Sequence, residues 1–233
     1  MILIFRTTVF YTVYVLTIPL HAAVSIVLGV LLPLHKRFYL FTRWNRFAIF
    51  WLRVCCGIHL QIRGAENIPQ EPYVLLSNHQ SPWETIYFYE RFRPITAILK
   101  RELLWIPFFG WALALLHPIP IDRSNKRKAR QAVLDKGTRL LRDKGVSVLI
   151  FPEGTRVDPG VEKRFSAGGA ELAINAGVKV LPVAHNAGHC WPARRFIKYP
   201  GTITVVVGQA IDSKGKTPKE LATEVETWVR TAI

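Results

Sequence analysis

From Thr7 to Leu34 the chain carries no Lys, Arg, Asp or Glu. That run exceeds the roughly 20 apolar residues needed to cover the hydrocarbon core of a bilayer, so the first element is expected to be a helix in or on a membrane. Arg6 before the run and the small pair Ala22-Ala23 have the look of a cleavable signal. The apolar character continues through Val24 to Leu34, however, with no polar start behind it, which favours a retained anchor. Pro19 and Pro33 can bend such a helix, which leaves open whether it crosses the bilayer or dips into one leaflet. Beyond it, Lys36, Arg37, Arg43, Arg46 and Arg53 are interleaved with Phe38, Tyr39, Phe41, Trp44, Phe47, Phe50 and Trp51. This pattern predicts a basic, aromatic amphipathic helix at a headgroup boundary. The cations follow the apolar run in excess, so the positive-inside rule places what comes after on the cytoplasmic side.

The division that follows is residues 1–57 as a membrane-anchoring helix pair and 58–233 as the main domain. In the main domain short β-rich runs alternate with helical ones. Strands are expected at 58–63, 73–77, 95–99, 146–151, 178–185 and 202–207, and helices at 82–91, 108–116, 124–143, 167–176 and 218–231. Such alternation predicts an α/β fold, a mostly parallel central sheet covered by helices. In such sheets reactive groups gather beyond the carboxyl ends of the strands. Three cysteines, two of them neighbours, make no disulfide framework. With 31 Lys+Arg against 16 Asp+Glu, the chain suits an anionic partner such as a phospholipid surface, nucleic acid or a phosphorylated substrate. The apolar N-terminus favours lipid, and no nucleic-acid motif is present, so nucleic acid is not expected as a partner.

Two strand ends carry chemistry-bearing residues. After Tyr73–Leu76 comes Ser-Asn-His-Gln-Ser-Pro-Trp-Glu, ending at Glu84. His79 with a carboxylate five positions on has the makings of a general base and the partner that orients it. The same residues also read as a capping box, with Ser81 at the N-cap, Pro82 at the first helical position and Glu84 reaching back. The second end is Phe-Pro-Glu-Gly-Thr-Arg, Phe151 to Arg156. Pro152 and Gly154 force a turn there, and Arg156 offers a fork-shaped grip on phosphate. Lys100-Arg101 and His117 to Arg123 set further cations beside Trp105, Phe108, Phe109 and Trp111. No P-loop, dinucleotide fingerprint or Gly-x-Ser-x-Gly elbow occurs. His185, His189 and Cys190 make a poor metal set by spacing, and no metal is expected.

Taken together, NHQSPWE, KRELLWIPFFGW with HPIPIDR, FPEGTR and LPVAHNAG resemble, in order and spacing, the four motif blocks of the glycerolipid acyltransferases with a His-x4-Asp motif. The nearest branch is the bacterial 1-acyl-glycerol-3-phosphate acyltransferase, or PlsC, type. The resemblance runs from about Ile58 to Ile211. It implies acyl transfer from a thioester, acyl-CoA or acyl carrier protein, to the sn-2 hydroxyl of lysophosphatidate, giving phosphatidate with no other cofactor. It implies a catalytic pair of His79 and Glu84. It further implies that Glu153, Gly154, Thr155 and Arg156 hold the glycerol phosphate, with Lys100 and Arg123 as additional phosphate cations. The oxyanion donors are not identified by the motifs; Asn78 and backbone amides near His79 are the candidates. In a bacterium the anchor would sit in the inner membrane. Glu84 stands where the family has Asp, so either the turn is adjusted or the contact to histidine is looser. Two rivals remain at this point: the same chemistry on another lysophospholipid or a lyso-aminolipid, and a non-catalytic, membrane-tethered basic binding protein.

Overall fold

The computed structural model describes residues 1–122 and 124–233. Helices α1 (Ile2–Gly29) and α2 (Leu34–Cys56) form a hairpin around Pro33. There follow β1 (Ile58–Arg63), β2 (Val74–Ser77), α3 (Trp83–Arg91), β3 (Ile95–Lys100), α4 (Phe109–Ala114), β4 (Ile119–Ile121) and α5 (Lys126–Asp143). The chain closes with β5 (Ser147–Ile150), α6 (Gly168–Ala176), β6 (Val180–His185), the single turn α7 (Ala187–Cys190), β7 (Gly201–Val207) and α8 (Pro218–Thr231).

The sheet order is β1-β7-β6-β2-β5-β3-β4. Every pairing is parallel except β6 with β7. The central strands β2, β5 and β6 are buried along their whole length, as continuous apolar runs covered on both faces must be. The edge strand β1 keeps most of its residues in contact with solvent. The sequence pattern missed β4, whose Ile-Pro-Ile run lacks one backbone donor; an edge position is where a sheet tolerates that loss.

Phe38, Thr42, Ala48, Leu52, Cys55 and Cys56 line the buried stripe of α2, at the spacing of one helical face. Gly57 ends that helix with φ 66°, a left-handed cap that glycine adopts without strain. The buried core is continuous from Phe10 and Phe38 through the sheet to Val225. Phe10 packs edge-on against Trp191, and the Trp44 indole N–H donates to Thr17 at 3.0 Å, so α1 is tied both to α2 and to the loop after α7. The outer face of α1, with Leu16, Leu20 and Val27, is exposed, and so are Trp105, Phe108 and Trp111 around α4, which packs beside α1. Among the described residues α1 is the one helix long and apolar enough to cross a membrane.

Candidate active site

β2 is the middle strand, with β6 on one side and β5 on the other, so its carboxyl end opens at the centre of the sheet. Ser77 closes the strand; Asn78 to Ser81 turn the chain, and α3 leaves from Trp83. In this turn the Nδ1 of His79 lies 2.7 Å from Glu84 Oε1. The same oxygen accepts the backbone N–H groups of Gln80 at 2.9 Å and Ser81 at 2.7 Å. Glu84 is fully buried, and its Oε2 makes no hydrogen bond among the described residues. The two sequence readings are therefore one structure: a single oxygen both caps the helix and grips the imidazole. The cap differs in detail, since Ser81 Oγ accepts the Trp83 N–H and Pro82 occupies the N-cap. The longer arm of Glu84 is accommodated by the turn with no loosening of the histidine contact.

Burial works to raise the Glu84 carboxyl, but His185, the His79 hydrogen bond and the Ser81 N–H outweigh it and hold the group below the usual carboxylate range. His185 is itself buried, and desolvation pushes its imidazole down against the pull of Glu84. Its hydrogen bonds fix a neutral form. Nδ1 accepts the Ala187 N–H at 3.2 Å, which leaves Nε2 to donate to the Asn78 carbonyl at 2.9 Å. With His185 neutral, its share of that effect is a ring dipole, and the bonds from His79, Gln80 and Ser81 supply the rest.

The His79 ring stacks on Phe151, centroids 4.0 Å apart and planes within 11°. With Nδ1 bound to Glu84, Nε2 is the nitrogen left without a partner among the described residues. A general base needs such an arrangement: one nitrogen held by an anion, the other presented to a proton.

β5 ends beside β2 and delivers Phe151 to Arg156 to the same edge of the sheet. Glu153 turns inward, and its Oε2 accepts the His79 backbone N–H at 2.8 Å. Burial, then the charge of Glu84, push its carboxyl up to about 7. Gly154, at φ 71°, and Arg156 are exposed, and Thr155 is half-buried. The loop is tied back by the Val157 N–H, which donates to the His79 carbonyl at 2.7 Å. Lys100, at the end of β3, is exposed and lies 3.8 Å from Glu102. Arg123 falls outside the described residues.

The structure thus brings His79, Glu84 and Glu153 into contact and sets Gly154, Thr155 and Arg156 in the adjoining loop. Asn78 commits its side-chain oxygen and one of its two amide hydrogens to the His185 N–H and C=O. The amides of residues 79, 80 and 81 are likewise committed to carboxylates. Sequence reasoning weighed His185 only as a metal ligand; both of its ring nitrogens are engaged by backbone. Among the described residues no cluster of three His, Cys, Asp or Glu side chains could hold a metal ion. Two surface hollows run along α2, both beside Arg43 and Phe47, and no site residue lines either.

A family model described as Acyltransferase matches residues 59–186, from β1 to just past β6, and so includes every strand end just described. The chain belongs to the acyltransferase family. Within that family it is 47% identical over 228 residues to the 1-acyl-sn-glycerol-3-phosphate acyltransferase of Pseudomonas aeruginosa, covering 96% of this chain and 88% of that one. It is 33% identical over 184 residues to the human 1-acyl-sn-glycerol-3-phosphate acyltransferase alpha, covering 76% of this chain and 63% of the relative. Among solved acyltransferases, the crystal structure of the 1-acyl-sn-glycerophosphate (LPA) acyltransferase PlsC from Thermotoga maritima superposes with a TM-score of 0.82 at 25% identity. That match covers 98% of this chain and 93% of the other.

Proposed function

We propose that this acyltransferase moves an acyl group from a thioester to the sn-2 hydroxyl of a 1-acyl-glycerol-3-phosphate, giving phosphatidate, with His79 as general base. The observation that carries the reading is the 2.7 Å contact between His79 Nδ1 and buried Glu84, with Nε2 left unpartnered among the described residues. The acceptor hydroxyl attacks the thioester carbonyl as its proton passes to Nε2. Glu84 balances the imidazolium that forms. The tetrahedral intermediate expels the thiolate, which takes the proton back, so His79 ends neutral and no acyl-enzyme forms. The oxyanion is met by donors other than the amides of residues 79 to 81, which are already used.

The acceptor phosphate is held by Arg156 with Gly154 and Thr155 of the same turn and by Lys100 from the end of β3, with Arg123 as a further cation. Exposed Arg156 suits a dianion that arrives from solvent or headgroup level. The acyl chains enter from the bilayer, which the exposed apolar faces of α1 and α4 would contact. The cations after α1 support an inner-membrane anchor with the main domain on the cytoplasmic side. The donor is acyl-CoA or acyl carrier protein; no further cofactor enters the chemistry.

The test is acyl transfer by the detergent-purified protein, with lysophosphatidate and with monoacylglycerol as acceptors and each thioester as donor. Turnover that requires the phosphate is the expected result. Equal turnover of the neutral acceptor would remove the phosphate site, and no turnover of any lysolipid would remove the reading.

A further inference from the structure

The peptide unit joining Asn78 to His79 is gripped at both edges by side chains from the two neighbouring strands. On the β6 side His185 Nε2 donates to the Asn78 carbonyl at 2.9 Å. On the β5 side Glu153 Oε2 accepts the His79 N–H at 2.8 Å. Carbonyl and N–H belong to the same trans peptide, so the two bonds pull in opposite directions across one rigid plane. They continue the sheet ladder one unit beyond Ser77, with side chains standing in for the missing strands. Asn78 reinforces the β6 side, donating to the His185 carbonyl at 2.8 Å and accepting the His185 N–H at 3.1 Å.

We propose that Glu153 and His185 are positioning residues that clamp the Asn78–His79 peptide and thereby aim the His79 ring at the acceptor hydroxyl. Neither need touch substrate. His185 is fully buried and carries its proton toward a backbone oxygen. Glu153 is 9% exposed and faces inward, and a carboxylate would repel a phosphate in any case. His79 itself is held at three further points: Glu84 on Nδ1, Phe151 against the ring, and the Val157 N–H on its carbonyl. Rotation of the peptide plane is what those three leave unrestrained, and the clamp fixes it. Misplacement of a catalytic group by about 1 Å can cost on the order of 10²-fold in rate.

The inference rests on the assignment of His79 as general base, and His79→Ala beside the wild type in the same assay tests that assignment first. The informative variants change reach and keep polarity. Glu153→Asp withdraws the acceptor by one methylene, whereas Glu153→Gln keeps an oxygen in place. His185→Asn withdraws the donor, whereas His185→Gln keeps one near the position of Nε2. With fold checked by circular dichroism and a thermal melt, the Asp and Asn variants should lose about tenfold or more in kcat, at unchanged KM for lysophosphatidate. Each glutamine variant should regain most of that loss. Exchange of the His79 amide, measured on the folded protein by deuterium uptake, should quicken in Glu153→Asp and stay slow in Glu153→Gln. Wild-type kcat in the Asp and Asn variants would overturn the clamp. So would a loss confined to KM, glutamine variants as impaired as the short ones, or an unchanged His79 amide in Glu153→Asp. Wild-type turnover in folded His79→Ala would instead count against the assignment of His79.

Discussion

The ends of β2 and β5 lie side by side and carry the two motifs, but they are built in opposite ways. In the β2 turn Glu84 is fully buried, three donors converge on one of its oxygens, and the amides of three successive residues are spoken for. Past β5 Glu153 and Val157 are tied to the His79 backbone, while Gly154, Arg156, Asp158, Lys163 and Arg164 stand exposed. Hydrogen bonds to a charged group contribute about 1.5–3 kcal/mol each, enough to hold the buried carboxylate in one geometry. The difference teaches a division of labour. Proton transfer demands a fixed imidazole, so the β2 end is over-determined; capture of a mobile phosphate needs accessible cations, so the β5 loop is left open. If this is right, damage at the first end should fall on kcat and damage at the second on KM.

The largest effect is expected at His79. His79→Ala removes the base and should lower kcat by about 10²–10⁴-fold; the melting temperature should fall as well, because the ring is only 14% exposed and is a partner of buried Glu84, so rates are compared on folded protein. Full activity in folded His79→Ala would erase the contrast altogether. Next comes Glu84→Gln. The amide oxygen can still accept the Ser81 and Gln80 N–H groups, so the helix start survives, but the imidazolium loses its counter-charge. A kcat loss of about 10- to 100-fold is expected, the worth of one charge-assisted hydrogen bond. Activity within twofold of wild type would reduce Glu84 to a helix cap.

Arg156→Ala tests the other side of the comparison. An exposed arginine that meets a phosphate should cost about tenfold in KM for lysophosphatidate, with kcat close to wild type and no change for a neutral acceptor. Initial-rate kinetics at several acceptor concentrations separate the two parameters. A loss in kcat at unchanged KM would mean that the β5 loop shapes the chemistry as well as the binding.

Much of this contrast could be read from the sequence, and the part that could not has a physical cause. The β2 strand, its turn and α3 are local, so an apolar run followed by Ser-Asn-His and a Ser-Pro pair specifies them. Resemblance to the glycerolipid acyltransferases pointed to His79 and Glu84, and the fold brings them within 2.7 Å. The clamp was hidden because its bonds join residues 74 and 107 positions apart and end on backbone atoms, which no side-chain pattern reports. The burial of Lys198 was hidden for a similar reason. In the sequence it belongs to a basic loop, yet its ammonium is buried over the rings of Tyr11 and Trp191 and donates to the carbonyls of Arg195 and Phe196. Such a site needs α1 folded back on the domain, a contact between the two ends of the chain.

The smallest effect expected is thermodynamic and belongs to the one residue shared by both regions. Burial and the Glu84 charge raise the Glu153 carboxyl from 4.5 to about 7, with the His79 N–H, Arg230 and Lys163 only partly offsetting them. Between those two values the folded protein keeps a proton that the unfolded chain has lost, so stability falls as pH rises through this window and stays low above it. Glu153→Gln carries no such charge. It should melt with wild type near pH 4.5 and above it by about 2–4 °C at pH 8, the shift that about 1 kcal/mol produces in a chain of this size. A melt series across that range in detergent reads the difference directly. Parallel curves at every pH would show that Glu153 is solvated as freely as the rest of its loop, and the boundary between the closed and open regions would then lie one residue earlier.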